Sequence, residues 1–237
     1  MKAWKIVYLF FMILFIIYMS LFNDKKILNA VSLSPIENKV IVIDPGHGGI
    51  DPGAVANGIR ESDINLQISK KLKDYFEAFG FDVLLTRYTD QGLYNGNVKN
   101  KKNQDLLNRK KIIINNNPII FLSIHLNSFP IARYYGAQVF YEKNNNYGKQ
   151  LAEIVQEELR FINKNKVNNR QAKEINIFIL KNIKVPAILV ECGFMSNHEE
   201  LNLLCKEDYQ NQLAYSIFKG CLKYLESVKK GEFKTNE

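Results

Sequence analysis

Val40-Ile41-Val42-Ile43-Asp44-Pro45-Gly46-His47-Gly48-Gly49 joins the two signals that set the fold. Four consecutive β-branched residues are apolar on both faces of an extended chain, which suits a strand buried in a sheet covered on each side. The Asp-Pro-Gly-His-Gly-Gly run then ends the strand and places polar side chains on a turn at its carboxyl end. Working outward, short apolar runs predict strands over 40–44, 82–87, 119–125, 137–141, 177–180 and 187–191. Between them, residues 62–79 put Ile64, Ile68, Leu72, Tyr75 and Phe79 at helical spacing, with Ser62 as the N-cap and Gly80 as the stop. Further helices fit 105–115, 147–161 and 209–228. Strands alternating with amphipathic helices give an α/β domain with a central, mostly parallel twisted sheet and helices on both faces.

The 237 residues leave room for one catalytic domain once the N-terminus is set aside. Hydrophobic content of 46% and charged content of 24% give no reason to invoke disorder, and no internal repeat is visible. A net charge of +8 favours anionic surroundings. The lysines occur in short pairs such as Lys101-Lys102 and Lys229-Lys230, and no finger, RNP or P-loop motif accompanies them, so nucleic acid is not an expected partner. Cys192, Cys205 and Cys221 contain no Cys-x-x-Cys and cannot all pair with one another; buried thiols are the expectation.

The N-terminus reads as an address. Lys2 and Lys5 precede an almost unbroken apolar run over 6–22, closed by Asn23, Asp24, Lys25 and Lys26. The run is longer than a usual signal core and no good Ala-x-Ala follows, while a helix of about 17 residues would only just span a bilayer. A signal peptide and an uncleaved membrane anchor therefore both stay open, and both put the rest of the chain outside the cytoplasm. The expected organisation is a signal or anchor over 1–29, a tether over 30–38, a catalytic domain over 39–228 and a basic tail over 229–237.

The polar residues with catalytic potential sit where an open α/β sheet gathers them, at strand carboxyl ends. Asp44-Pro-Gly-His47 follows the first strand, Ser123-Ile-His125-Leu-Asn127-Ser128 closes the third, and Glu191-Cys-Gly-Phe-Met-Ser-Asn197 follows the last. Glu61 adds a carboxylate at the mouth of the first long helix. A catalytic zinc needs about three nitrogen or oxygen ligands with one position left for water, and His47, Glu61 and His125 would supply them. Each histidine read singly could instead be hydrogen-bonded structure. Glu191, a carboxylate ending an apolar run, is the candidate general base and acid; a helix cap or a salt bridge is the alternative. His198 reads as surface, because His-Glu-x-x-His would need histidine at 202 and finds Asn202.

Four stretches in order carry a resemblance: Ile43-Asp-Pro-Gly-His-Gly-Gly, Glu61 followed by a helix, Ser123-Ile-His-Leu-Asn-Ser, and Pro186-Ala-Ile-Leu-Val-Glu-Cys-Gly-Phe-Met-Ser-Asn197. Over about 39–225 the chain resembles the zinc-dependent N-acetylmuramoyl-L-alanine amidases, whose fold is phosphorylase/hydrolase-like. The resemblance implies one zinc per chain at His47, Glu61 and His125, with Glu191 acting on the attacking water. The bond cut would be the amide between muramic acid and the first L-alanine of the peptidoglycan stem peptide. Asp44 and Asn127 match the motifs and are expected only to position their neighbours. Some relatives carry a long insertion after the second histidine motif that folds over the metal; residues 129–136 are too few for one. A short, module-free enzyme with an N-terminal anchor most resembles the germination-specific amidases of spore-formers, which act during muramic-lactam formation in the cortex. Peptidoglycan, a regulatory or targeting protein and, through an uncleaved N-terminus, the membrane are the expected partners. A zinc peptidase acting on wall peptides and a non-catalytic wall-binding module remain the alternatives.

Overall fold

The computed structural model describes residues 39–96, 98–163 and 166–231. The apolar N-terminal run, the tether and the last six residues of the basic tail lie outside the described residues. Among those described, no helix is long and apolar enough to cross a membrane.

The first strand, β1 (Val40–Pro45), is buried from Ile41 onward. It lies between β4 (Asp82–Leu85) and β5 (Ile120–Asn127) and is parallel to both. Beyond β5 comes β8 (Ala187–Phe194), also parallel, then β6 (Gln138–Tyr141), antiparallel to β8, and the two-residue edge β7 (Lys173–Glu174). The six-stranded order β4-β1-β5-β8-β6-β7 puts the topological switch between β1 and β5, because the chain leaves β1 toward β4 and returns to β5 on the other side. A crevice forms at that switch, outside the strand carboxyl ends. A small hairpin of β2 (Val55–Ala56) and β3 (Ile59–Arg60) stands apart from the sheet.

Strand alternation assigns the two faces of the sheet. Val42, Phe121 and Leu189 face Ile113 of α2 (Lys101–Asn116) together with Ile179, Leu180 and Ile183. Ile41, Ile43, Leu122, Ile124, Ile188 and Val190 are left for the other face, where α1 (Glu61–Ala78) and α3 (Asn146–Glu158) pack on the strands and α5 (Glu207–Lys229) packs on both helices. Burying each such aliphatic side chain contributes about 1.5–3 kcal/mol, so this two-sided core is what holds the strand ends in place. A short helix, α4 (His198–Leu204), links β8 to α5 and has exposed His198 as its first residue.

Four expectations are corrected. Residues 177–180 form a turn, with Leu180 N donating to Ile177 O at 3.2 Å. Their apolar side chains cover the sheet face beside α2 instead of joining the ladder. The helix expected from Ser62 begins at Glu61 with Arg60 as its N-cap and no side-chain cap. The backbone caps it instead: Glu61 N donates to Ala54 O at 2.9 Å and Ser62 N to Pro52 O at 3.1 Å. The buried stripe of α1 continues through Phe76, edge-on to Phe218 of α5 at 5.2 Å, and leaves Phe79 exposed. Cys192 and Cys221 are buried, whereas Cys205, at the end of α4, is exposed.

Candidate metal centre

His47, Glu61 and His125 reach the crevice from three elements: the turn after β1, the first residue of α1, and the end of β5. Each offers one ligand atom, and the three atoms lie within 4.8 Å of one another. Glu61 Oε1 is 3.2 Å from His47 Nε2 and 3.2 Å from His125 Nδ1. The two imidazoles meet nearly edge to face, with centroids 5.0 Å apart. Because the loop carbonyls cap α1, the Glu61 side chain is free to turn into the crevice. Its Oε2 accepts from Ala54 N at 2.9 Å, while Oε1 also takes Leu126 N at 3.1 Å and Asn65 Nδ2 at 3.2 Å.

This close approach depends on two missing side chains. A Cβ on Gly46 would stand 2.3 Å from His125 Cε1. One on Gly53, where φ is +68°, would stand 2.5 Å from Glu61 Oε2 and 2.8 Å from His47 Cδ2. His47 itself has φ of 61°, in the left-handed region that a non-glycine residue enters at a cost.

Two buried arginines hold that strained turn. Arg87 donates to the carbonyls of Pro45 (2.9 Å), Gly46 (2.9 Å) and Ser62 (2.7 Å). Arg109 donates to those of Pro45 (2.7 Å) and His47 (2.5 Å), and pairs with Asp44 at 2.8 Å and Asp105 at 2.5 Å. Asp44 also accepts from Thr86 Oγ1 at 2.5 Å and Ser123 Oγ at 2.9 Å. Burial works to raise the Asp44 carboxyl, but Arg109 and the Thr86 hydroxyl hold it below the usual range. Asp44 thus reaches His47 through Arg109. Asn127 ties β5 to the end of β8 through its backbone carbonyl, which accepts from Met195 N at 2.8 Å.

The electrostatics suit a cation. Burial works to raise the Glu61 carboxyl, yet hydrogen bonds and charge from His125 and His47 hold it far below the usual carboxylate range. Burial works to lower His47, but Glu61 and Asp51 raise it overall. Asp51 Oδ2 sits 3.0 Å from His47 Nδ1, which fixes the proton on that nitrogen and turns Nε2 toward Glu61. The same Asp51 oxygen is 2.9 Å from Lys102 Nζ. With Nδ1 protonated, Nε2 beside a carboxylate must carry either a second proton or a metal ion. A two-nitrogen, one-oxygen donor set fits zinc.

Glu191 lies beside this cluster. In the β5–β8 register it is the direct partner of His125, so the two side chains share a face. Its Oε2 is buried and has no hydrogen-bond partner. Burial pushes the carboxyl up to about 7, with His125 and His47 pulling against that rise and Glu61 adding to it. A carboxyl poised there can take and return a proton at neutral pH.

Asp51, Arg87 and Arg109 were not among the residues singled out from the sequence. The signal for Arg109 was present, since Leu106, Arg109 and Ile113 share one helical face and put a cation on the apolar stripe of α2.

A profile of the N-acetylmuramoyl-L-alanine amidases matches residues 41–223. The germination-specific N-acetylmuramoyl-L-alanine amidase of Bacillus subtilis is 36% identical over 225 residues, spanning 93% of this chain and 94% of its own. Among solved structures, the CwlD amidase from Clostridioides difficile, determined in complex with the GerS lipoprotein, superimposes with a TM-score of 0.77 at 45% identity, covering 80% of this chain and 99% of CwlD. The catalytic domain of CwlV from Bacillus (Paenibacillus) polymyxa follows with a TM-score of 0.69 at 29% identity, over 79% and 98% of the two chains. Since the profile runs from the first core strand into the last helix and takes in all three crevice-lining elements, this chain belongs to the N-acetylmuramoyl-L-alanine amidase family.

Proposed function

We propose that His47, Glu61 and His125 hold one zinc ion per chain and that Glu191 is the general acid and base in cleavage of the amide between N-acetylmuramic acid and L-alanine of peptidoglycan. The observation that carries this reading is the buried, unpartnered Glu191 Oε2 beside three ligand atoms within 4.8 Å of one another. Bound zinc supplies Lewis acidity to the scissile amide and the attacking water. Glu191 takes the proton of that water and returns it to the departing alanine nitrogen. Asp51 keeps His47 Nε2 turned inward, and Arg87 and Arg109 keep the His47 turn from relaxing. Both imidazoles are partly open to solvent, with side-chain exposures of 22% and 17%, which leaves room for substrate to approach.

The physiological role that fits is stem-peptide removal in the spore cortex, leading to muramic-lactam; the germination-specific relative of Bacillus subtilis supports it. The basic, apolar N-terminus would export or anchor the enzyme on the outer side of the membrane, where its substrate lies. The GerS complex of CwlD supports a protein partner for this chain as well.

Mass spectrometry of peptidoglycan digested by the zinc-loaded protein tests the reaction. Released stem peptides should begin at L-alanine and leave the glycan intact; new ends within the peptides would favour a wall peptidase. Glu191→Gln should keep about one zinc per chain while turnover falls roughly 100-fold to 10,000-fold. Loss of zinc together with activity would make Glu191 a ligand instead.

A further inference from the structure

The connection from β5 to β6, residues 128–137, crosses the sheet end above the strands that carry His125 and Glu191. It exposes large apolar side chains there: Phe129 is 47% exposed, Ile131 42% and Tyr134 37%. These rings are not exposed because the loop is loose. Phe129 N donates to Ser196 Oγ at 3.1 Å, Asn197 Nδ2 to Ala132 O at 2.8 Å, and Gly136 N to the buried Glu200 carboxylate at 2.9 Å. Phe129 and Tyr134 meet edge to face with centroids 5.2 Å apart. The Arg170 guanidinium lies 4.4 Å from the Phe194 ring centroid and 5.9 Å from that of Tyr134, and its Nε and Nη1 donate to Tyr135 O (2.7 Å) and Gln138 Oε1 (2.8 Å). A loop fixed at this many points could have turned its rings inward at a gain of hydrophobic free energy. Holding them outward as one patch marks a contact surface.

We propose that Phe129 and Tyr134 form a stacking platform for the glycan strand, seating sugar rings next to the muramoyl residue whose amide is cut. The proposal rests on the amidase reading. Phe129 is four residues beyond His125, so even a fully extended chain separates their Cα atoms by at most roughly 14 Å, the reach of a short run of sugar rings. The reacting lactyl group is attached to the glycan, so the sugars must lie beside the crevice while the stem peptide leads away from it. A pyranose presents a flat, uncharged face of C–H groups, which matches an aromatic face. The residues beyond L-alanine in the stem carry carboxylates and match it poorly.

The test is titration calorimetry of the zinc-loaded protein with glycan strands stripped of their peptides, which requires no turnover and so can succeed or fail independently of the amidase reading. Replacing both rings, Phe129→Ala with Tyr134→Ala, should weaken glycan binding about tenfold, the worth of two modest aromatic contacts. The KM for glycan-borne stem peptides should rise in parallel, with kcat unchanged and a single muramoyl-peptide cleaved as before. Phe129→Trp with Tyr134→Phe should restore binding. Phe79→Ala should leave it unchanged, because Phe79 lies beyond the far end of α1 from Glu61, about 27 Å along the helix. Unaltered glycan binding in the double alanine variant would overturn the proposal, as would an equal loss in Phe79→Ala. Normal glycan binding with loss of a lipoprotein partner would also overturn it and give the surface to that partner.

Discussion

The turn after β1 and the end of β8 face the same crevice and are built in opposite ways. In the turn, the carbonyls of Pro45, Gly46 and His47 accept from buried arginines, His47 Nδ1 rests on Asp51, and Glu61 Oε1 meets four donor groups. At the end of β8, Glu191 keeps a buried oxygen with no partner at all. A metal ligand benefits from a fixed rotamer and a fixed tautomer, so hydrogen bonds around it improve affinity. A proton carrier needs the reverse: each partner given to its charged form would pull its pKa away from neutrality. On the proposed roles, the contrast separates the holding side of the site from the reacting side.

The largest expected effect lies on the holding side. His47→Ala, Glu61→Ala and His125→Ala should each abolish zinc retention through purification, where wild type carries about one ion per chain, because water cannot replace a fixed ligand. Metal analysis by mass spectrometry decides it, and normal occupancy in any two of the three would break the assignment.

A smaller effect belongs to the layer behind the ligands. Asp51→Asn keeps the size of the side chain but loses the charge that favours a protonated His47 Nδ1, so zinc affinity should fall roughly 10-fold to 100-fold. Competition against a chromophoric chelator measures it directly. An unchanged affinity would mean that the arginine-held backbone alone orients His47.

How much of this could be read from the sequence divides along the same line. The α/β class and most elements were legible because β1, β5 and β8 are apolar on both faces and α1 and α5 carry clear helical stripes. His47, Glu61, His125 and Glu191 stood out as polar residues at strand or helix ends, and the structure gathers them at the switch between β1 and β5 and along neighbouring β8. The apolar residues around Ile179 misled, since a turn lying on a sheet buries the same side chains as a strand. Ser62 misled because an N-cap can be supplied by distant carbonyls, which local sequence does not show. Arg87 stayed hidden because its partners are backbone carbonyls, which have no residue type to recognise, and Asp51 because only the fold brings His47 and Lys102 to it. Arg109 left a trace as a cation on the apolar stripe of α2, but its carboxylate partner Asp44 is 65 residues away. The exposed rings of residues 129–134 carry no helical or strand period, so their common orientation emerges only once the loop is tied to Ser196 and Asn197.

The smallest effect tests the reacting side in the metal-free protein. Burial pushes the Glu191 carboxyl up to about 7 from an ordinary 4.5, so between those values the folded chain binds more protons than the unfolded one. The stability this group contributes is complete below pH 4.5 and is lost as pH rises through about 7. Glu191→Gln cannot ionise and escapes that loss. With zinc chelated, the variant should match wild type near pH 5 and exceed it at pH 8 by on the order of 1–2 kcal/mol in urea unfolding. Asp44 and Glu61, whose carboxyls are held low, lose their contribution only as pH falls below their ordinary values of 3.8 and 4.5, outside the window from pH 5 to pH 8. Saturating zinc should narrow the gap, because a cation beside Glu191 favours its charged form. A gap that stayed flat from pH 5 to pH 8 would show that water already satisfies the lone oxygen, and the two sides of the site would then differ far less than their hydrogen bonds imply.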